Sequence, residues 1–450
     1  MKTLKFTRRQ ALATASLGAV GSLFSWSFPA FTITGKDQDK LAVLGGAKVH
    51  TGGWPVWPVW DQAAEDKIAE MLRSGKWWRG NGDHVIEFEK KYAELIGAKR
   101  CLATASGTSA LMVTINSLGI DAGDEVIVSP FTFIASYNVI ILNKALPVFA
   151  DTDPETFLID PKKIEAKITD RTSAILPVHI YGLPCDMDGI NEVAKKRNLK
   201  VIEDACQAWT AEYRGKKVGT FGDAGCFSFQ NSKNLPAGEG GAITSNNDEL
   251  MDRCNSFHNC GRPYGSVKRT SDYPINGGNN RMQQIQALIL INQMNRIQKD
   301  ADIRLANARY LDVKLREIPG IKPYKLANGA TKSAYHFYPF RYLKEEFNNV
   351  PKDKFMKALS AEGIPCSSGY GPQYRDGLID EMLNSKGFKR LFPESRLKQW
   401  KQEIDLPGNE KLCSEAVIFY QNILLGSRSD MDDIVKAIAK IHESSKSLVG

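Results

Sequence analysis

Four short stretches of this chain hold residue types that can do chemistry. The first is Thr104-Ala105-Ser106-Gly107-Thr108-Ser109-Ala110, where an apolar run passes into a helical pattern through small residues. Unpaired backbone N–H groups and the positive end of a helix dipole there suit an anion, phosphate above all. A plain helix N-cap explains the same residues equally well. The second is Val201-Ile202-Glu203-Asp204 followed by Gln207, an apolar run that ends in acids. A carboxylate buried there needs a cationic or hydrogen-bonding partner, and capping a helix is its other reading. The third, Phe227-Ser228-Phe229-Gln230-Asn231-Ser232-Lys233, leads into Gly238-Glu239-Gly240-Gly241. An amine in such an apolar, glycine-flanked turn can be neutral enough to act as a nucleophile, although most lysines are simply solvated. The fourth, Phe131-Thr132-Phe133, either lays an aromatic ring over a flat ligand or packs in the core.

Taken together, a phosphate cradle, a carboxylate, a stackable aromatic and a nucleophilic lysine are what pyridoxal 5'-phosphate (PLP) requires. Its lysine forms a Schiff base, and an acid keeps the pyridine nitrogen protonated so that the ring can delocalise a carbanion. The lysine, once displaced by an amino donor, is free to move the substrate proton.

Ligands of α/β sheets gather at the carboxyl ends of strands, so the elements around these stretches matter. Candidate strands are 100–105, 125–129, 146–150, 173–180, 200–203, 224–229 and 240–245. Helical spacing links them: Val85, Phe88, Tyr92 and Ile96 recur on one face, as do Ile68, Met71 and Leu72. Seven apolar strands alternating with helices predict an α/β fold with a mostly parallel sheet covered on both faces. The last two strands are too close for a helical crossover, so one of them is antiparallel. From Ile285 to about Ile318 the pattern is of long helical stretches, with a strand at 335–342 and helices at 354–362 and 431–444. The expected organisation is a large domain over 36–295, with an N-terminal arm over 36–60, and a smaller α+β domain over 296–450.

The chain has 450 residues, 42% of them hydrophobic and 24% charged, an ordinary globular balance. Its net charge is +8, but Lys2, Lys5, Arg8 and Arg9 supply four of the basic residues, leaving 55 basic against 51 acidic. That is too even for a nucleic-acid footprint. Arg8-Arg9 ahead of a mildly apolar run from Ala11 to Phe28 resembles a twin-arginine export signal over residues 1–35, a chance arginine pair before a signal-like helix being the other reading. No clear cleavage site precedes Lys36, so an uncleaved membrane tether stays open. Eight scattered cysteines make no disulfide scaffold. Cys254, His258 and Cys260 resemble metal ligands but lack a fourth partner, so no metal is expected.

The order and spacing of these motifs, with Gly277-x-Asn279-x-Arg281-Met282, resemble the DegT/DnrJ/EryC1/StrS aminotransferases, PLP enzymes of the type I aminotransferase fold. The resemblance runs from about Leu41 to the C-terminus. It implies that Lys233 carries the cofactor and that Asp204 contacts its pyridine nitrogen. Phe133 matches the stacking aromatic, Gln207 a polar neighbour of the cofactor, and Gly107, Thr108 and Ser228 the phosphate-binding positions. Asn279 matches an asparagine that reaches the neighbouring subunit's phosphate, which implies a homodimer with shared sites. Members with histidine at the lysine position are dehydratases; lysine here implies transamination. Leu41-Ala42-Val43-Leu44-Gly45-Gly46, Trp54-Pro55-x-Trp57-Pro58 and Gln230 are similar to the branch acting on inososes and aminocyclitols. A glutamate or glutamine donor and a free keto-sugar or keto-cyclitol acceptor are therefore expected, with Trp77, Trp78 and Tyr335 as candidate walls. A nucleotide-linked ketosugar acceptor and an exported, non-catalytic PLP-fold protein are the alternatives. One departure stands out: Trp209-Thr210 replaces the His-Gly that often follows the Gln-Ala pair.

Overall fold

The computed structural model describes residues 40–449. The export segment expected over 1–35 lies outside the described residues. Seven strands form the main sheet: β1 (Arg100–Thr104), β2 (Glu125–Val128), β3 (Leu146–Phe149), β4 (Thr172–Leu176), β5 (Lys200–Asp204), β6 (Ala224–Ser228) and β7 (Gly241–Ser245). Their spatial order is β1-β7-β6-β5-β4-β2-β3. Strand β7 runs antiparallel to both β1 and β6, and the other neighbours pair in parallel. Every residue of β2, β3, β6 and β7 is buried, as a sheet covered on both faces requires. Each strand of the sequence reading is present. The fourth stops at Leu176 rather than 180, because Pro177 has no N–H to continue the ladder.

Helices α1 (Glu65–Ser74), α2 (His84–Ile96), α3 (Gly107–Ser117), α4 (Ala135–Leu142), α5 (Met187–Arg197) and α6 (Asp248–His258) lie between these strands or flank them. Val85, Phe88, Tyr92 and Ile96 of α2 are all buried. On α1 only Met71 of the three marked residues is fully buried, and Leu72 turns outward at 44% exposure. The expected run of helical stretches after Ile285 is a single helix, α7 (Gln284–Arg316), continuous across residues 295 and 296. Its buried positions include Ala287, Leu290, Ile297, Ala301, Arg304, Ala308, Leu311 and Leu315. Steps of three and four keep one face covered along much of the helix. Beyond it, strands Ile321–Pro323, Phe337–Tyr342, Ala416–Tyr420 and Ser367–Ser368 form a four-stranded antiparallel sheet. The strand expected from Tyr335 begins at Phe337, because Tyr335 adopts a left-handed backbone with φ 53°.

Candidate active site

At the carboxyl end of β5, Glu203 and Asp204 alternate to opposite faces of the sheet. Glu203 is fully buried and structural. It accepts hydrogen bonds from the N–H groups of Gly219, Phe221 and Gly222, each at 2.7 Å, and pairs with His179 Nε2 at 3.0 Å. Asp204, the last residue of β5, accepts from Ser136 Oγ at 2.8 Å and from the Cys206 N–H at 3.1 Å. Ser136 is itself held by Thr132 Oγ1 at 2.8 Å. Hydroxyl and backbone donors, rather than a cation, thus satisfy the carboxylate, and no helix follows for it to cap.

Gly107 and Thr108 open α3, and Ser106 is a true N-cap, its hydroxyl accepting from the Ser109 N–H at 3.0 Å. The first N–H groups of a helix have no intrahelical partner, so capping and anion binding coexist at this turn. A Cβ on Gly107 would lie 2.7 Å from Ser228 Cβ and 2.9 Å from Cys206 Sγ. The helix terminus is therefore pressed directly against Ser228, at the end of β6. Gly241 makes the same kind of approach: a Cβ there would sit 2.2 Å from the Ser106 carbonyl oxygen.

Lys233 lies in the loop between β6 and β7, which closes through backbone bonds from Phe229 to Gly240 and from Asn231 to Gly238. Its carbonyl accepts from the Trp57 indole N–H at 3.0 Å, which fastens the N-terminal arm to the lysine loop. Loss of hydration pushes the amine's pKa below its ordinary value, and nearby Cys206 and Asp204 pull it partly back. One cavity of about 460 Å³ has Lys233, Asp204, Gly107, Thr108, Ser228 and Phe133 in its wall. Among the described residues lining it, Lys233 is the one lysine or arginine. Phe133 is 55% exposed, whereas Phe131 of the same motif is fully buried against Tyr181 and Tyr370. Gln207 bridges two elements, accepting from the Tyr181 N–H at 2.8 Å and donating to Tyr370 Oη at 2.9 Å. Gln230, also in the wall, accepts from the Ser232 N–H at 2.8 Å.

The expected aromatic walls need correction. Trp77 and Trp78 are more than half exposed and do not line the cavity; their carbonyls instead accept from Gln284 at the start of α7. Tyr335 is buried, with its hydroxyl on Tyr324 Oη at 2.7 Å, and the wall position goes to His336. The left-handed turn at Tyr335 reverses which of the two faces the cavity. Trp209 lies behind the wall, its indole donating to the Ser228 carbonyl at 2.8 Å and its ring packing edge-on against His336. Asn279 is exposed and outside this cavity, where its backbone bridges Asn259. His258 is buried with Nδ1 on the Asn255 carbonyl, and burial pushes its pKa down to about 3. Among the described residues no cluster of three His, Cys, Asp or Glu side chains could hold a metal.

Ser136, His336, Phe337 and Tyr370 also face the cavity. No motif marked them: His336, Phe337 and Tyr370 come from elements remote in sequence, and Ser136 lies just beyond the 131–133 motif. Ser136 alone had a local signal, four residues beyond Thr132 on the first turn of α4.

The cavity fits PLP, with a helix N-terminus for a phosphate, an exposed aromatic face for a ring, and a carboxylate and an amine at fixed places. Fold and cavity together define a PLP-dependent aminotransferase. The DegT/DnrJ/EryC1/StrS aminotransferase family signature matches residues 59–419, and the chain belongs to that family. It is 35% identical over 420 residues to the L-glutamine:2-deoxy-scyllo-inosose aminotransferase of Streptoalloteichus tenebrarius, covering 89% of this chain and 97% of the relative. The enzyme of the same name from Streptomyces fradiae is 34% identical over 414 residues, with coverage of 89% and 97%. Among solved structures, 3-amino-5-hydroxybenzoic acid synthase superimposes with a TM-score of 0.76 at 30% identity, covering 86% of this chain and 98% of that one. An aminotransferase from Psychrobacter cryohalolentis gives a TM-score of 0.74 at 30% identity, with coverage of 88% and 100%.

Proposed function

We propose that this enzyme moves an amino group from glutamate or glutamine to an uncharged keto-cyclitol or keto-sugar. The observation that carries the reading is the cavity itself: Lys233 and Asp204 share it, and no second lysine or arginine lines it among the described residues. An uncharged ketone needs no further cation from this chain, whereas the diphosphate of a nucleotide-linked sugar would need cationic donors from elsewhere, the neighbouring subunit included. The likeness to 2-deoxy-scyllo-inosose aminotransferases supports the same acceptor class.

PLP, when bound, supplies an electron-withdrawing ring that stabilises negative charge at the substrate carbon. Lys233 is the attachment point and the base, and its lowered pKa raises the fraction of neutral amine able to take a substrate proton at Nζ. Asp204, oriented by Ser136 and the Cys206 N–H, would hold the proton on the ring nitrogen. Gly107, Thr108 and Ser228 would hold the phosphate and Phe133 would lie against the ring face, while Gln207 places Tyr370 at the cavity wall. Asn279 completes the neighbouring subunit's site in a homodimer. The twin-arginine segment exports the folded protein with its cofactor already loaded.

The test is a donor and acceptor screen on the purified, PLP-loaded protein. Glutamate or glutamine should convert the bound cofactor's visible absorption, and scyllo-inosose-type ketones or free ketosugars should restore it. Turnover of nucleotide-linked ketosugars alone would sink the acceptor assignment. A cofactor band that no amino donor changes would favour a non-catalytic protein.

A further inference from the structure

His336 is built into the active site more firmly than a filler of space requires. Its Nε2 lies 3.5 Å from Lys233 Nζ, at the long limit of a hydrogen bond. The residue is 2% exposed. Its ring is fixed by Trp209, edge-on at 5.8 Å, and by Phe337 at 4.1 Å. Its backbone N–H donates to the Tyr181 carbonyl at 2.9 Å. Asn234, the residue after the lysine, donates to the carbonyls of Ala334 and Tyr335 at 2.8 and 3.4 Å. One side chain thus ties the lysine loop to the segment that carries the histidine.

Backbone strain brackets this contact. Tyr335 and Tyr181, both non-glycine, adopt φ of 53° and 59°, which bulky residues seldom do. Such strain persists where the surroundings over-determine it, and it gathers at functional sites. The charged and titratable groups acting on the pair are Asp204 at the end of β5, Cys206 just beyond it and Arg304 of α7. Burial, with Lys233 and Arg304 adding to it, pushes the imidazole well below its usual pKa, so the ring is neutral. Nδ1 is buried without a partner among the described residues.

We propose that His336 is the positioning partner of Lys233, its Nε2 accepting a hydrogen bond from the lysine amine. The inference rests on Lys233 being the base, as proposed above. When Nζ takes a proton from the substrate carbon it becomes an ammonium, and the Nε2 lone pair steadies it on the cavity side. The proton stays on Nζ until it is delivered to the next carbon, leaving the amine neutral again. His336 gains and loses no proton. The accepting tautomer carries its hydrogen on Nδ1, a buried donor with no acceptor among the described residues.

The test reads Lys233 directly, without turnover. In cofactor-free protein, the pH dependence of Lys233 acetylation, followed by peptide mass spectrometry, reports the titration of its amine. His336→Phe fills the space but removes the acceptor, so the midpoint should fall by about one pH unit, the size of one hydrogen bond to a charged group. His336→Gln supplies an amide oxygen and should restore most of it. In loaded enzyme, the Phe variant should lose roughly tenfold in kcat with the donor KM unchanged. An unmoved midpoint in the Phe variant, or equal shifts in both variants, overturns the proposal. Borohydride fixation separates the two layers: cofactor mass on the Lys233 peptide in wild type and variants upholds the lysine assignment, whereas its absence in the wild type fails that reading rather than this one.

Discussion

Asp204 shows how a few donors set the chemistry of a residue. It takes one hydroxyl from α4 and one N–H from its own turn, and the hydroxyl is aimed by Thr132. Ser136→Ala removes a donor worth about 1.5 kcal/mol or more to a charged acceptor. Turnover should fall about tenfold while the melting temperature changes little, as steady-state kinetics and calorimetry would show. Gly107→Ala tests the phosphate end. Its new methyl meets Ser228 Cβ and Cys206 Sγ inside 3 Å, so α3 must retreat. Cofactor affinity, titrated by absorbance, should weaken at least tenfold or so. A variant that holds PLP as tightly as wild type would remove this helix terminus from the phosphate site.

At the scale of elements, the loop between β6 and β7 is held from three directions. Trp57 of the arm grips the Lys233 carbonyl, Asn234 grips the 334–335 segment, and the loop's own backbone bonds close it. Trp57 is in turn stacked near Arg304 and Arg296 of α7. Trp57→Phe keeps a ring but loses the indole donor, about 1 kcal/mol. Faster release of cofactor from the loaded enzyme is expected, with the fold intact. Glu203 belongs to this scale too, because it fastens the 219–222 turn to β5 through three N–H groups. Glu203→Gln places an NH₂ against those donors. The cost should be about 3 kcal/mol, visible as a thermal midpoint several degrees lower.

For the whole molecule, the exposed position of Asn279 matters. A single chain leaves it outside its own cavity, so the shared-site reading makes a complementation prediction. Lys233→Ala and Asn279→Ala proteins, each impaired alone, should regain activity when refolded together. One subunit supplies the lysine and the other the asparagine, so randomly mixed dimers hold about a quarter of the wild-type sites. No recovery would mean the sites are not shared. The leader is tested by fractionation. Wild type should reach the extracytoplasmic fraction, and replacing Arg8 and Arg9 by lysine should hold it inside.

The motifs were legible because they are local. A helix N-terminus needs Ser106-Gly107-Thr108 in succession, and a strand that ends at a ligand needs apolar residues followed by an acid; both are written in consecutive residues. Seven strands could be located for the same reason, since alternation of apolar runs with helices is a property of the chain itself. The partners of the motifs were not legible. Ser136 and Asp204 are 68 residues apart and Lys233 and His336 are 103 apart, and sequence carries no measure of distance across a fold. Tyr335 and His336 are the sharpest case: two adjacent residues with similar claims to the wall, decided by one left-handed backbone angle that only tertiary packing imposes. The chain by itself determined the cofactor chemistry and the sheet that presents it; the packing of distant segments decided which side chains surround the amine.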